Sequence, residues 1–300
     1  MDEGIFRVLR ALGHGRSVAR SALVRDAGEA HSVVAALEKG KAKWFLETGE
    51  RLRLSPLGLA ALARESHGRS APEASDALQE RFVALLDGRP GPRRELDQVH
   101  ADPSSALARA RRLLEDGDAQ RGLLFLGDDD GIAVALALLL AEAGIERRID
   151  VLDVDEALLA WAATAVGDEA RLRTHLHDLR EPLPKALRGR YGCVVTDPPY
   201  APEGFALFLD RALEASKPDA RLHLSFGGSR RAPDRVLAKQ RLVAEAGWLL
   251  EAAEPGATRY DGAESIGASS DLWQLRRTPE TRALKRSAEG ALYTRRSPEE

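Results

Sequence analysis

The chain has 300 residues, 44% hydrophobic, 30% charged and 5% aromatic, with 44 basic and 47 acidic residues and a net charge of −3. This composition argues against a disordered, fibrous or membrane-spanning chain, since the longest apolar run, Ile132 to Ala141, is about half of a span, and against a protein that coats itself with nucleic acid. A single cysteine, Cys193, excludes an internal disulfide, a CxxC redox pair and a thiolate zinc cage, and an acidic N-terminus without an apolar core gives the expectation of a cytoplasmic protein.

Charge divides the chain. Residues 1–66 hold 11 basic and 8 acidic residues and leave 33 and 39 for the rest, so a unit of net +3 precedes one of net −6. In residues 1–67, apolar positions at helical spacing (Ile5, Val8, Leu9, Leu12; Val18, Ala22, Leu23; Val33, Val34, Leu37) predict three short helices stopped at Gly13, Gly28 and Gly40. Residues 44–47 and 51–54 alternate about Thr48-Gly49-Glu50 as a hairpin, and Ser55-Pro56 opens a fourth helix. This order resembles a winged helix, with His31, Lys39, Lys41, Lys43, Arg51 and Arg53 on the third helix and wing. Such a face is either the solvated surface of a dimerisation or covering module or a set of phosphate contacts, and no base-reading pattern is legible in it.

Residues 68–118 read as a linker with lead-in helices. Gly68 to Pro92 is rich in Pro, Gly, Ser and Ala around one helix, Asp76 to Leu86, and the loop Glu95 to Ser105 precedes a helix from Ala106 to Leu114. Residues 119–277 then alternate strand and helix. Apolar runs at 122–126, 149–152, 172–176, 193–196 and 222–226 predict buried strands, with helices over 132–143, 156–166, 203–216 and 233–246. Trp248–Ala253 and Asp271–Arg276 add an antiparallel pair. The expected fold is α/β, a doubly wound, mostly parallel seven-stranded Rossmann sheet resembling that of the methyltransferases. The polar segment 278–300 is predicted to be a mobile tail.

Ligands of such sheets sit beyond the carboxyl ends of the strands, and every end here is acidic: Gly127-Asp128-Asp129-Asp130-Gly131, Asp153-Val154-Asp155, His177-Asp178 and Asp197-Pro198-Pro199-Tyr200. A single aspartate in this position is ordinarily a helix cap. Three in succession repel one another and call for a cation. A phosphate ligand is excluded by the same charge. A divalent metal using His175, His177 and Asp178 is one alternative; an organic polycation fits better, and no metal is expected.

GDDD, TDPPY, the upstream LDQVHADPSS, DLREPLP and the late SSDLWQL together resemble the branched-chain polyamine synthases over residues 1–276. The resemblance implies transfer of an aminopropyl group from decarboxylated S-adenosylmethionine, as co-substrate, to an amine of a spermidine-like polyamine, with release of methylthioadenosine by a cytoplasmic homodimer. It implies that Gly127 and Asp128 border the donor, that Asp153 takes the ribose hydroxyls and Asp178 the adenine amino group, and that Asp130 stands where the donor amine is held. Asp197 and Tyr200 would orient the attacking amine. An amine is protonated at neutral pH, so a base is needed; Asp129, Asp130 and Asp197 are the candidates. Two positions depart from the family pattern, Gly131 after GDDD and Ala201 after DPPY. Two other functions remain open: an S-adenosylmethionine-dependent methyltransferase acting on amino groups of nucleic acid or protein, since DPPY also marks those enzymes, and a non-catalytic, polyamine-sensing DNA-binding regulator.

Overall fold

Leu123–Leu126 (β3) and Tyr191–Thr196 (β6) are buried at every position, as central strands covered on both faces must be. They pair in parallel with each other, β3 also with Ile149–Asp153 (β4), β4 with Leu172–Leu176 (β5), and β6 with Ser216–Phe226 (β7). Ser269–Arg276 (β9) runs antiparallel between β7 and Leu249–Arg259 (β8). The sheet order is β5-β4-β3-β6-β7-β9-β8, the seven-stranded, methyltransferase-like arrangement expected from the apolar runs. Its outer strands, β5 and β8, are the exposed ones. The computed structural model describes residues 3–13, 16–28, 31–40, 45–47, 51–69, 74–167, 172–227, 233–260, 269–285 and 292–293.

The order reverses at β3, and the crossovers lie on opposite faces. On one face Ile132–Glu142 (α7) and Glu156–Val166 (α8) pack on β3 and β4; on the other Pro202–Ala215 (α9) and Pro233–Glu245 (α10) pack on β6 and β7. The chain forms two compact units, residues 1–70 and 71–300. Asp76–Leu86 (α5) and Pro103–Glu115 (α6) lie in the second unit and bury Leu78, Phe82, Leu113 and Leu114 against α7. The helices expected within 68–118 thus pack into the core of the second unit, because their apolar faces need a partner.

The first unit has its own core, built from Glu3–Ala11 (α1), Arg20–Ala27 (α2), His31–Lys39 (α3), the antiparallel pair Leu46–Glu47 (β1) and Arg53–Leu54 (β2), and Pro56–Arg69 (α4). Val18 bridges Leu52 beside the pair. Two of the expected surface cations are engaged internally, Arg51 with the Ser17 carbonyl and Arg53 with Glu47. Lys41, Lys43 and the Thr48–Glu50 turn lie outside the described residues.

The predicted mobile tail is bound at its start. Asp210, buried in α9, accepts hydrogen bonds from the amides of Leu284 (2.7 Å) and Lys285 (2.9 Å), and the Thr278 and Thr281 hydroxyls donate to the Gly247 carbonyl at 3.1 and 2.9 Å. Polar composition did not betray these bonds because the tail docks through its backbone and two hydroxyls.

Candidate active site

The carboxyl ends of β3, β4 and β6 border a cleft open to solvent. Asp97, Asp129, Asp153 and Asp197 line it, and among the described residues no lysine or arginine does.

After β3, Gly127 turns the chain with φ 73° and donates its amide to the Leu152 carbonyl at 2.8 Å. The three aspartates that follow then take different directions. Asp128 turns into α7, where its carboxylate accepts the amides of Ile132 (2.9 Å) and Ala133 (2.8 Å). It is a helix cap, and burial pushes its carboxyl up to about 8. Asp130 pairs with buried Arg109 at 2.9 Å and accepts the Ala101 amide at 2.7 Å. Only Asp129 faces the cleft. Burial first, then Asp130, Asp197 and Asp153, raise its carboxyl well above the ordinary range, and the Val99 amide at 3.2 Å is its bond from the backbone. A cap takes up Asp128 and an arginine from α6 takes up Asp130, while the repulsion expected of three acids still bears on Asp129.

Asp153 lines the cleft at the end of β4, fixed by the amide of Asp155 at 2.9 Å and that of Asp128 at 3.4 Å. Asp197 follows β6. It accepts the Tyr260 hydroxyl, which also bonds Ser270 at 2.8 Å. Burial and then Asp130 push its carboxyl up to about 6, against the opposing pull of Arg109, Tyr260 and Lys239. Tyr200 presents its ring to the cleft and donates its amide to Asp97 at 3.3 Å. Asp178 does not line the cleft: Arg180 holds its carboxylate through the guanidinium Nε (2.8 Å) and the amide (2.9 Å), which lowers its pKa. His175 bonds Asp150 at 2.7 Å while His177 faces the cleft, so the two histidines and Asp178 do not form one ligand set.

Several cleft residues were not singled out from the sequence. Asp97 occupies the left-handed region at φ 59°, after the turn Arg94–Leu96, and opens a strap across the acidic loop. Along it, Val99 binds Asp129, Ala101 binds Asp130 and bridges Tyr260, and the Asp102 amide donates to the Arg259 carbonyl at 2.8 Å. The signal was present in LDQVHADPSS, which as a loop carried no role. Tyr260 and Tyr293 also line the cleft. Burial pushes the Tyr293 hydroxyl up to about 12.

The two family departures have local causes or costs. Gly131 has φ 74°, and a Cβ there would stand 2.9 Å from the Trp161 ring, so only glycine fits beneath that ring. Ala201 is the N-cap of α9 and makes no side-chain cap bond.

The family model described as the branched-chain polyamine synthase A C-terminal domain matches residues 77–282. The N(4)-bis(aminopropyl)spermidine synthase of Thermus thermophilus is 35% identical over 158 residues, covering 52% of this chain and 45% of that protein. The one from Thermococcus kodakarensis is 34% identical over 149 residues, 48% and 41% of the two chains. The matched stretch thus spans less than half the length of these relatives. The crystal structure of the Thermus thermophilus branched-chain polyamine synthase in complex with N4-aminopropylspermidine and 5′-methylthioadenosine aligns with TM-score 0.63 and 25% identity, over 97% of this chain and 91% of that one.

Proposed function

The chain belongs to the branched-chain polyamine synthase family, and from that premise we propose that it transfers an aminopropyl group from decarboxylated S-adenosylmethionine to a spermidine-like polyamine, as a cytoplasmic homodimer. The observation that carries this reading is the cleft itself, with four aspartates and, among the described residues, no lysine or arginine on its wall. The donor brings a sulfonium and an ammonium, the acceptor several ammonium groups, and such a wall attracts both. The carboxylate of ordinary S-adenosylmethionine would meet Asp129 in the same space.

In this reading Asp153 takes the ribose hydroxyls, and Leu152, Val154 and Leu179, which also line the cleft, form the apolar wall for the adenine. Asp129 is the acid for the donor ammonium. Asp197, titrating at about 6, is ionised near neutrality and basic enough to take a proton from the acceptor, so among the three candidate bases it is the assignment. Asp130 is committed to Arg109 and the Ala101 amide. In the step itself, the acceptor nitrogen yields its proton to Asp197 and its lone pair attacks the propyl carbon bonded to sulfur. The C–S bond breaks, its electron pair stays on sulfur, and neutral methylthioadenosine leaves. Positive charge moves from sulfur to nitrogen, so catalysis comes from holding two cations in line.

The test incubates the protein with spermidine and either donor. Methylthioadenosine formed from the decarboxylated donor alone is the expected result. S-adenosylhomocysteine formed from the ordinary donor would overturn the reading in favour of methyl transfer.

A further inference from the structure

Lys239 lies on α10 and is 5% exposed. Its ammonium stands 4.6 Å from the centroid of the Tyr200 ring, 5.1 Å from that of Phe226 and 5.7 Å from that of Phe205. The cage is itself braced, since Phe226 packs edge-on against Phe205 and Trp273 at 5.9 and 4.7 Å. A buried ammonium held by three ring faces is a strong local charge. The charged groups that act on it are Asp197 after β6, Asp97 on the strap and Arg235 one turn back on α10. Burial brings its pKa down to about 8, which leaves it a cation near neutrality.

An acidic cleft has a built-in conflict. Carboxylates that draw in an ammonium also raise its pKa and so suppress the free amine that must attack. A positive charge near the reacting nitrogen counters this, and Tyr200 is the wall residue between that nitrogen's expected site and Lys239. We propose that Lys239 is a positioning residue of the acceptor site, a fixed cation that braces the Tyr200 ring from behind, disfavours the protonated acceptor nitrogen and keeps Asp197 ionised to receive its proton. The proposal rests on the aminopropyl-transfer reading and adds to it the means by which one nitrogen of a polycation is made nucleophilic.

The experiment follows methylthioadenosine formation against pH for the wild type, Lys239→Met and Lys239→Arg. Loss of the charge is expected to move the rising limb of kcat up by about one pH unit and to lower kcat about tenfold near neutrality, without raising KM for the polyamine. The wild-type and Lys239→Met rates converge above the Lys239 pKa of about 8, and Lys239→Arg restores the limb. A limb that stays in place in Lys239→Met, or a loss confined to KM, overturns the proposal. A second measurement needs no variant: with 13C-labelled lysine, the ring-shifted Lys239 signal, distinct among seven lysines, is expected to titrate at lower pH once spermidine is bound. An unmoved midpoint overturns the proposal even in a protein that makes no methylthioadenosine. A moved midpoint without that product overturns the transfer reading instead.

Discussion

The two ends of the large sheet each bury carboxylates, and they treat them in opposite ways. Beyond the amino ends of the strands, Asp118 is fully buried and accepts from His223 at 2.7 Å and Arg221 at 3.3 Å, with Arg121 at 3.8 Å. Burial would raise its pKa, yet these partners outweigh it and the pKa falls. Cys193 completes a close group there with Asp118 and His223, but the carboxylate is already taken by donors of the fold. At the carboxyl ends, Asp129 and Asp197 lie half-buried on the cleft wall, with an amide or a tyrosine where Asp118 has three basic groups, and their pKa values rise although they are the more exposed. Burial alone therefore does not distinguish a structural acid from a chemical one. The inventory of opposing charge does.

The sharpest way to break this contrast is Asp197→Asn. We expect a loss in kcat of about 10²–10⁴-fold with the folded protein as stable as before or more so, measured by rates and by chemical denaturation. The pH dependence has a definite sign. Asp197 keeps its proton up to about 6 in the folded protein, whereas an unfolded aspartate loses it near 4. Its contribution to stability is complete below about pH 4 and is lost as pH rises through about 6, and the variant flattens that slope. Asp118→Ala should do the reverse: a stability loss of about 3–5 kcal/mol, because His223 and Arg221 are left buried around a missing anion, with turnover per folded molecule retained. The smallest effect belongs to Ala201→Thr, which supplies the cap that α9 lacks; a gain of about 1 kcal/mol, seen as a higher Tm, is expected without loss of activity.

The sheet was legible because β3, β4 and β6 are covered on both faces and so read as mostly apolar runs, Leu123–Leu126 most plainly. The acids at their ends were legible for the same reason, since they stand where a run stops. Which acid faces the cleft was not. Asp128, Asp129 and Asp130 are consecutive, and their fates depend on Arg109 and on the amides of Val99 and Ala101, partners 21 to 30 positions away in sequence. Asp178 looked like its fellows until Arg180 closed on it. Asp97, Tyr260 and Lys239 lie in a loop, a loop edge and a helix, where a polar residue is unremarkable, and only the folded chain brings the first two to the cleft and the third behind its Tyr200 wall.

The strap from Asp97 to Asp102 bears on how such a site could be moved to another protein. It precedes the first strand of the sheet, so a chain beginning at Leu123 would keep all seven strands and the GDDD and DPPY turns. It would lose Asp97 from beneath Tyr200, the amides that fix Asp129 and Asp130, and the arginine that neutralises Asp130. Grafting the two acidic turns onto another methyltransferase-like sheet would therefore transplant charge without its scaffold. The transferable cassette is the pair of turns together with residues 93–115, even though those residues add no strand.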